Sequence, residues 1–181
     1  GAMMGSGGMI VMDDRSCMVE VARYYVSFLC GESCGKCTPC REGLKQMLAI
    51  LTDICEGRGT MEDLDLLEQL GETMQDSSLC ALGKSAPNPV LTTLKYFREE
   101  YEAHIREHRC GAGVCKALTS FAIDPAACKG CGACKRACPA GAVSGDVKQP
   151  HVIDQTKCIR CGSCREACRF GAVLTKGRDE Q

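Results

Sequence analysis

The 181-residue chain has no tryptophan, and its aromatics amount to four Phe and four Tyr. So few rings leave little on which to stack bases, which weighs against single-stranded nucleic-acid binding. No apolar run approaches the eighteen or more residues of a membrane span, so no direct membrane contact is expected. A secretory signal is also missing. The only glycine-rich opening, Gly5-Ser6-Gly7-Gly8, is too short for a dinucleotide site and lacks its strand-turn-helix context. Neither FMN nor NAD is expected to bind here, and no residue stands out as a general acid, base or nucleophile. Gly1-Ala2-Met3 reads as a protease-cleavage scar, and residues 1–12 together as that scar plus the broken end of a preceding domain.

What the chain does have is cysteine, seventeen in all. An odd count without a secretory signal argues against a disulfide scaffold and for thiolates kept reduced for metal, which implies a reducing cytoplasm. Cys128, Cys131, Cys134 and Cys138 follow the spacing C-x2-C-x2-C-x3-C, with Pro139 next, and Cys158, Cys161, Cys164 and Cys168 repeat it. Ile123 to Val143 and Ile153 to Val173 agree at eleven of twenty-one positions, an internal duplication. A tight loop can deliver three thiolates to a cubane cluster, and the fourth must come from elsewhere.

Residues 123–176 resemble a bacterial-type two-cluster [4Fe-4S] ferredoxin, with Arg169 in place of the second proline. In such ferredoxins the fourth cysteine of each run ligates the opposite cluster. The resemblance therefore implies one set of Cys128, Cys131, Cys134 and Cys168, and another of Cys158, Cys161, Cys164 and Cys138. A zinc ribbon also uses paired C-x2-C units. The third and fourth cysteines in both halves disfavour it.

Charge is small in total, −1, but unevenly spread: seventeen acids face ten bases in residues 1–108, and six face twelve in 109–181. A basic half can signal nucleic acid. Here each oxidised cluster with its thiolates carries roughly −2, which offsets most of the excess. Lys129, Lys135, Arg136, Arg160, Arg165 and Arg169 lie within the cysteine loops and read as tuning and docking charges.

In residues 13–108 the apolar period is helical. A first helix runs from a cap at Asp13 or Asp14 to about Cys30, and a second starts at Thr38-Pro39 and carries Leu44, Met47, Leu48, Leu51 and Ile54. Thr60 and Asp63 suggest a capping box for a third, and a fourth runs from Pro87–Pro89 through Phe97, Tyr101 and Ile105. Four amphipathic helices with short connections suggest an up-and-down four-helix bundle, so the overall class is α+β. That topology puts the loop of Cys34, Cys37 and Cys40 at the same end as Cys80, the natural fourth ligand of a third [4Fe-4S] cluster. The alternative for Cys80 is a small buried apolar residue.

The runs Glu32-Ser33-Cys34-Gly35-Lys36-Cys37-Thr38-Pro39-Cys40-Arg41-Glu42-Gly43, Ser78-Leu79-Cys80-Ala81-Leu82-Gly83 and Pro89 to Tyr101 carry a second resemblance. They are similar to the C-terminal cluster domain of the NADH-oxidising flavoprotein subunit of respiratory complex I and its relatives. With the fused ferredoxin, the arrangement resembles the corresponding subunit of NAD-dependent, often electron-bifurcating, [FeFe] hydrogenases. Related formate dehydrogenases carry a similar subunit. The resemblance implies an electron relay through three [4Fe-4S] clusters, in a fragment that is not itself an enzyme. Its partners would be the other subunits of a hydrogenase or dehydrogenase complex and a soluble ferredoxin, with no nucleic acid. The reading of another class is a zinc-bearing nucleic-acid or scaffolding module.

Five cysteines remain. Cys17, Cys30 and Cys55 lie within or at the ends of helices and read as core or inert thiols. Cys110-Gly111-Ala112-Gly113-Val114-Cys115 sits in a glycine-containing hinge, residues 109–122. Two thiolates and one or two imidazoles make a tetrahedral zinc set. The expectation is a structural Zn2+ on Cys110, Cys115, His151 and either His104 or His108, against a simpler reading as free thiols beside solvated histidines. Residues 177–181 are a tail.

Overall fold

The computed structural model describes residues 7–177. Residues 1–6 of the expected scar and residues 178–181 of the expected tail lie outside the described residues. The chain divides into two compact units, the first ending at Leu118 and the second beginning at Thr119.

The first unit is helical. α1 (Met18–Glu32) buries Val19, Ala22 and Val26 on one stripe, and α2 (Thr38–Cys55) buries Leu44, Met47, Leu51 and Ile54. α3 (Glu62–Ser77) adds Leu64, Leu67 and Met74. These side chains, with Leu94 and Tyr101, form one core. Each fully buried Leu, Ile or Met stabilises it by about 1.5–3 kcal/mol relative to exposure.

α1 begins after Cys17, whose sulfur accepts from the Glu20 N–H, rather than after Asp13 or Asp14. Asp13 instead accepts from the backbone and side chain of Arg15. Asp63 does reach back to the Thr60 N–H at 2.7 Å, fixing the entry to α3.

The expected fourth helix is three pieces: α4 (Ala81–Ser85), α5 (Asn88–Tyr96) and α6 (Arg98–Arg106). Phe97 breaks the last two apart, with φ −136° and ψ 33°, ending α5 and starting α6. The Tyr101 hydroxyl, 2.7 Å from Thr93 Oγ1, ties the pieces together, and the break turns Tyr101 and His104 into the core.

Among the described residues the second unit holds two two-stranded antiparallel sheets and two short helices. β1 (Thr119–Ile123) pairs with β4 (Val173–Gly177), and β2 (Val143–Ser144) pairs with β3 (Val152–Ile153). α7 (Ala133–Ala137) and α8 (Ser163–Glu166) carry the third cysteine of each run. The duplication survives in the hydrogen bonds. Asp124 N–H donates to Ala172 O at 2.8 Å, as Asp154 N–H does to Ala142 O at 2.7 Å. Cys128 N–H donates to Asp124 O, and Cys158 N–H to Asp154 O, each at 3.0 Å.

The expected hinge, residues 109–122, spans the boundary between the two units. Cys110, Cys115 and Leu118 are buried in the first unit's core, and residues 119–122 belong to β1.

Candidate iron-sulfur and metal centres

In the first unit Cys34, Cys37, Cys40 and Cys80 line one recess of about 120 Å³ with Glu32, Ser33 and Leu82. Two of these cysteines sit at helix starts: Cys37 is the N-cap of α2 and Cys80 that of α4. Unpaired N–H groups at a helix start favour negative charge, most of all for the eighteen-residue α2. Ser33 Oγ is 3.4 Å from Cys40 Sγ and also accepts from the Gly35 N–H. Ser78 Oγ is buried and has no hydrogen-bond partner among the described residues. It packs against Gly83, where an added Cβ would lie 2.7 Å from that oxygen and 3.3 Å from Cys40 Cβ. Four converging thiols, helix-start donors and an unspent hydroxyl fit an anionic, sulfur-rich cluster.

In the second unit Cys128, Cys131, Cys134 and Cys168 line a common recess, with Ile123, Phe170 and Val173 among its apolar walls. The fourth thiol thus comes from the other repeat. Burial raises the Cys134 thiol, with the neighbouring Cys128 and Cys168 adding to the rise. Burial likewise raises Cys164, which feels Cys158 and Cys161. Cys138 Sγ accepts from the Ala142 N–H at 3.3 Å and packs in the same apolar cluster as Cys158 and Cys164.

The two loops differ at one backbone position. Gly130 has φ +65°, and a Cβ there would meet Gln149 N at 2.4 Å, because the Lys148–Gln149 backbone crosses over it. Its counterpart Arg160 adopts a similar φ of 56° with a side chain.

A separate set lies in the first unit. The ligand atoms of Cys17, His104, Cys110 and Cys115 are all within 4.8 Å of one another, and all four residues are buried. His104 Nε2 is 3.3 Å from Cys17 Sγ, and Cys17 Sγ is 3.9 Å from Cys115 Sγ. His104 Nδ1 lies 2.7 Å from Glu100 O. That carbonyl can only accept, so Nδ1 carries the proton and Nε2 is left as a ligand atom, a common arrangement for metal-bound histidine.

The charges are unsettled without an ion. Hydrogen bonds from Cys115, then Cys17, hold Cys110 well below the usual thiol range. Hydrogen bonds to Cys110, then to Cys17 and Cys55, push Cys115 up. Burial opposes charge on His104, but hydrogen bonds to Cys110 and Cys17 outweigh it and raise its pKa to about 10. Three thiols and one imidazole competing for protons in a closed site fit a soft dication that displaces them.

This set differs from the expected one. His104, Cys110 and Cys115 come together, but the fourth member is Cys17, which by sequence reads as an inert thiol. His151 belongs to the second unit, where it lines the recess of Cys128 and Cys168, and its Nδ1 is 3.2 Å from Gln149 O. His108, in a left-handed backbone conformation with φ 44°, is not among the four. Cys17 is 87 residues from His104, so no local spacing could link them. Its one sequence signal is a cysteine directly before a helix, where an N-capping Ser, Thr or Asp is usual.

Residues 20–104 match the NADH-ubiquinone oxidoreductase-F iron-sulfur binding region, and residues 120–169 match the 4Fe-4S dicluster domain. Over 150 residues the chain is 52% identical to the NADP-reducing hydrogenase subunit HndC of Solidesulfovibrio fructosivorans, covering 83% of this chain and 31% of that protein. It is 44% identical over 110 residues to the F subunit of the NADH-quinone oxidoreductase of Streptomyces coelicolor, covering 61% of this chain and 24% of that one. Among solved structures, an NAD+-reducing [NiFe]-hydrogenase in the H2-reduced state aligns with TM-score 0.51 at 36% identity, over 53% of this chain and 17% of that chain. The chain therefore spans about a third or less of the length of these relatives. Among the described residues no helix is long and apolar enough to cross a membrane.

Proposed function

Because the chain joins an NADH-ubiquinone oxidoreductase-F iron-sulfur binding region to a 4Fe-4S dicluster domain, we propose that it relays electrons through three [4Fe-4S] clusters. The relay runs between the NADH and flavin chemistry of a larger parent subunit and partner subunits of a cytoplasmic hydrogenase complex. The ligand sets are Cys34, Cys37, Cys40 and Cys80; Cys128, Cys131, Cys134 and Cys168; and Cys158, Cys161, Cys164 and Cys138. The observation that carries this reading is the convergence of four thiols on each of two recesses, one of them drawing Cys168 from the opposite repeat.

The clusters supply one-electron storage when bound. The chain's own residues set where that charge sits and what it costs. The N-terminus of α2 faces the first set through Cys37, and the Ala142 N–H donates to the Cys138 sulfur. Such donors stabilise added negative charge and raise a reduction potential, while burial of the cysteines opposes it. This part of the chain performs no acid-base or nucleophilic chemistry. Of the relatives, the hydrogenase subunit aligns across both regions, which favours a hydrogenase over a formate dehydrogenase or complex I-like assembly.

The buried set of Cys17, His104, Cys110 and Cys115 is proposed to hold a structural zinc ion. It ties the start of α1 to the segment leading out of the first unit.

Iron, sulfide and zinc analysis of anaerobically purified protein, with visible absorption before and after dithionite, tests the proposal. Roughly twelve irons per chain, one zinc and a bleaching chromophore are expected. Little iron and several zincs would replace the relay with a zinc-bearing nucleic-acid or scaffolding module.

A further inference from the structure

The proposed zinc set is closed: Cys17, His104, Cys110 and Cys115 are 2%, 1%, 3% and 6% exposed. A metal site needs an entry path. Beside it lies a recess of about 500 Å³ that reaches Cys115 and is walled by Glu20, Arg23, Thr52 and Cys55. The carboxylate of Glu20 and the sulfurs of Cys55 and Cys115 all lie within 4.8 Å of one another. Cys115 therefore belongs to two groups, the buried four and this outer three.

We propose that Glu20, Cys55 and Cys115 form a second position for a soft divalent cation, an outer port that takes up zinc and passes it through the shared Cys115 sulfur to the buried set. This rests on the reading that the buried set holds zinc.

The chemistry of the three donors selects the ion. Thiolates prefer zinc and its softer relatives over magnesium or calcium, and a carboxylate oxygen is an ordinary third zinc ligand. Cys55, the last residue of α2, would otherwise read as a small buried apolar side chain. A purely apolar role does not explain its neighbours. Its sulfur lies within 4.8 Å of both the Cys115 sulfur and a Glu20 carboxylate oxygen.

Three cations line the recess, Arg23, Arg58 and Lys116, and none of them is without a partner. Arg23 is paired with both oxygens of Glu20, at 2.7 and 2.6 Å, and Arg58 is paired with Asp53 and Glu56. Each Glu20 oxygen retains a second lone pair for an incoming ion.

Transfer by ligand replacement moves no electrons. The Cys55 and Cys115 thiols each release a proton to water as their bonds to the metal form. When the ion moves on to Cys17, His104 and Cys110, Cys17 and His104 release theirs to water and Cys55 takes one back. Because Cys115 is common to both positions, the ion keeps a thiolate throughout. Zinc can widen its coordination to five during such a step.

The test uses the full chain with its clusters intact, held anaerobically. Zinc release to a chromophoric chelator and zinc uptake by the stripped protein are timed in wild type, Cys55→Ala and Glu20→Gln, with cluster absorbance as a control. Cys55→Ala should still hold one zinc per chain at equilibrium, yet exchange it about tenfold more slowly in both directions. Glu20→Gln should slow exchange by a smaller factor. Exchange at the wild-type rate in Cys55→Ala overturns the port while leaving the buried site standing. A wild-type protein that takes up no zinc, with Cys110→Ser no different, brings down the buried site itself. Should Cys55→Ala lose its clusters, the wild type decides: cadmium added to zinc-loaded protein should bind one further equivalent with a new cadmium-thiolate absorption. Absence of that equivalent overturns the port.

Discussion

Replacing Gly83 with alanine should separate packing around the first cysteine set from intrinsic helix preference. Gly83 is the third residue of α4, whose N-cap is Cys80. In a helix interior alanine is favoured over glycine by about 1 kcal/mol, so propensity alone predicts a more stable protein. The packing says otherwise. The new Cβ would stand 2.6 Å from Ser78 Cβ and 2.7 Å from Ser78 Oγ, roughly 1 Å inside normal contact. Cys40 Cβ, at 3.3 Å, leaves little room on the other side. Overpacking of this kind costs about 1–3 kcal/mol. The net expectation is destabilisation by up to about 2 kcal/mol, or a fall of up to roughly 15 °C in the apparent midpoint of the first unit. Relief requires α4 to move away from Cys40, carrying Cys80 with it. Iron content should then drop by about four atoms per chain while the second unit keeps its own. Thermal melts read alongside iron analysis measure both effects. Gly111→Ala is the control, since nothing lies within 4 Å of a Cβ there. A Gly83→Ala protein that melts higher than wild type and keeps all its iron would refute the argument from close approach.

Other outcomes follow from the same geometry. Cys168→Ala should damage the cluster of the Cys128 loop and spare that of the Cys158 loop, which electron paramagnetic resonance of the reduced protein distinguishes; damage confined to the Cys158 loop would overturn the crossed pairing. Cys17→Ser should abolish zinc retention while His151→Gln leaves it intact, as metal analysis of the two proteins will report. Chelator-treated protein should lose stability as pH rises above about 9, because folded Cys17 and Cys115 hold protons that the unfolded chain releases there; at lower pH the loss from His104, which keeps its proton beyond the 6.5 of the unfolded chain, is offset by the gain from Cys110, held as a thiolate. The zinc-loaded protein, with those protons already displaced, should show no such alkaline loss in denaturant titrations across the same range. Gly130→Ala should cost more than Gly162→Ala: both have positive φ, but only Gly130 lies under crossing backbone, and Phe121 is 3.6 Å from the Cβ position at Gly162.

How much of this is legible in the sequence depends on the range of the signal. The cysteine runs are local and periodic, and the closely spaced cysteines Cys34, Cys37, Cys40 and Cys128, Cys131, Cys134 each share a recess, whereas Cys80 and Cys168 reach theirs from elsewhere in the chain. Cys80 is reachable because helix lengths and short loops put its end of the chain beside Cys34. Cys17 is not, because its partners lie at the far end of the first unit and its own surroundings look like an ordinary helix start. The pull of Asp13 and Asp14 as caps hides it further. The division of the fourth helix also escapes, since Phe97 continues the apolar period that Leu94 and Tyr101 define. Only the backbone break at Phe97 shows that the period crosses from one helix to another. His151 opens the second repeat and belongs to the second unit, and nothing in its local sequence says which cysteines surround it.

The place of Cys17 has a consequence for the chain as a polymer. It lies 87 residues from His104 and 98 from Cys115. An ion on these residues turns the whole first unit into a ring closed by metal. In the chain-entropy account, a cross-link around a loop of about a hundred residues removes some 4–5 kcal/mol of disorder from the unfolded state. A single protease cut anywhere between the ligands would leave both pieces held together until the ion is withdrawn. The first unit would then behave as a molecule whose ends are joined, yet one that a chelator can open.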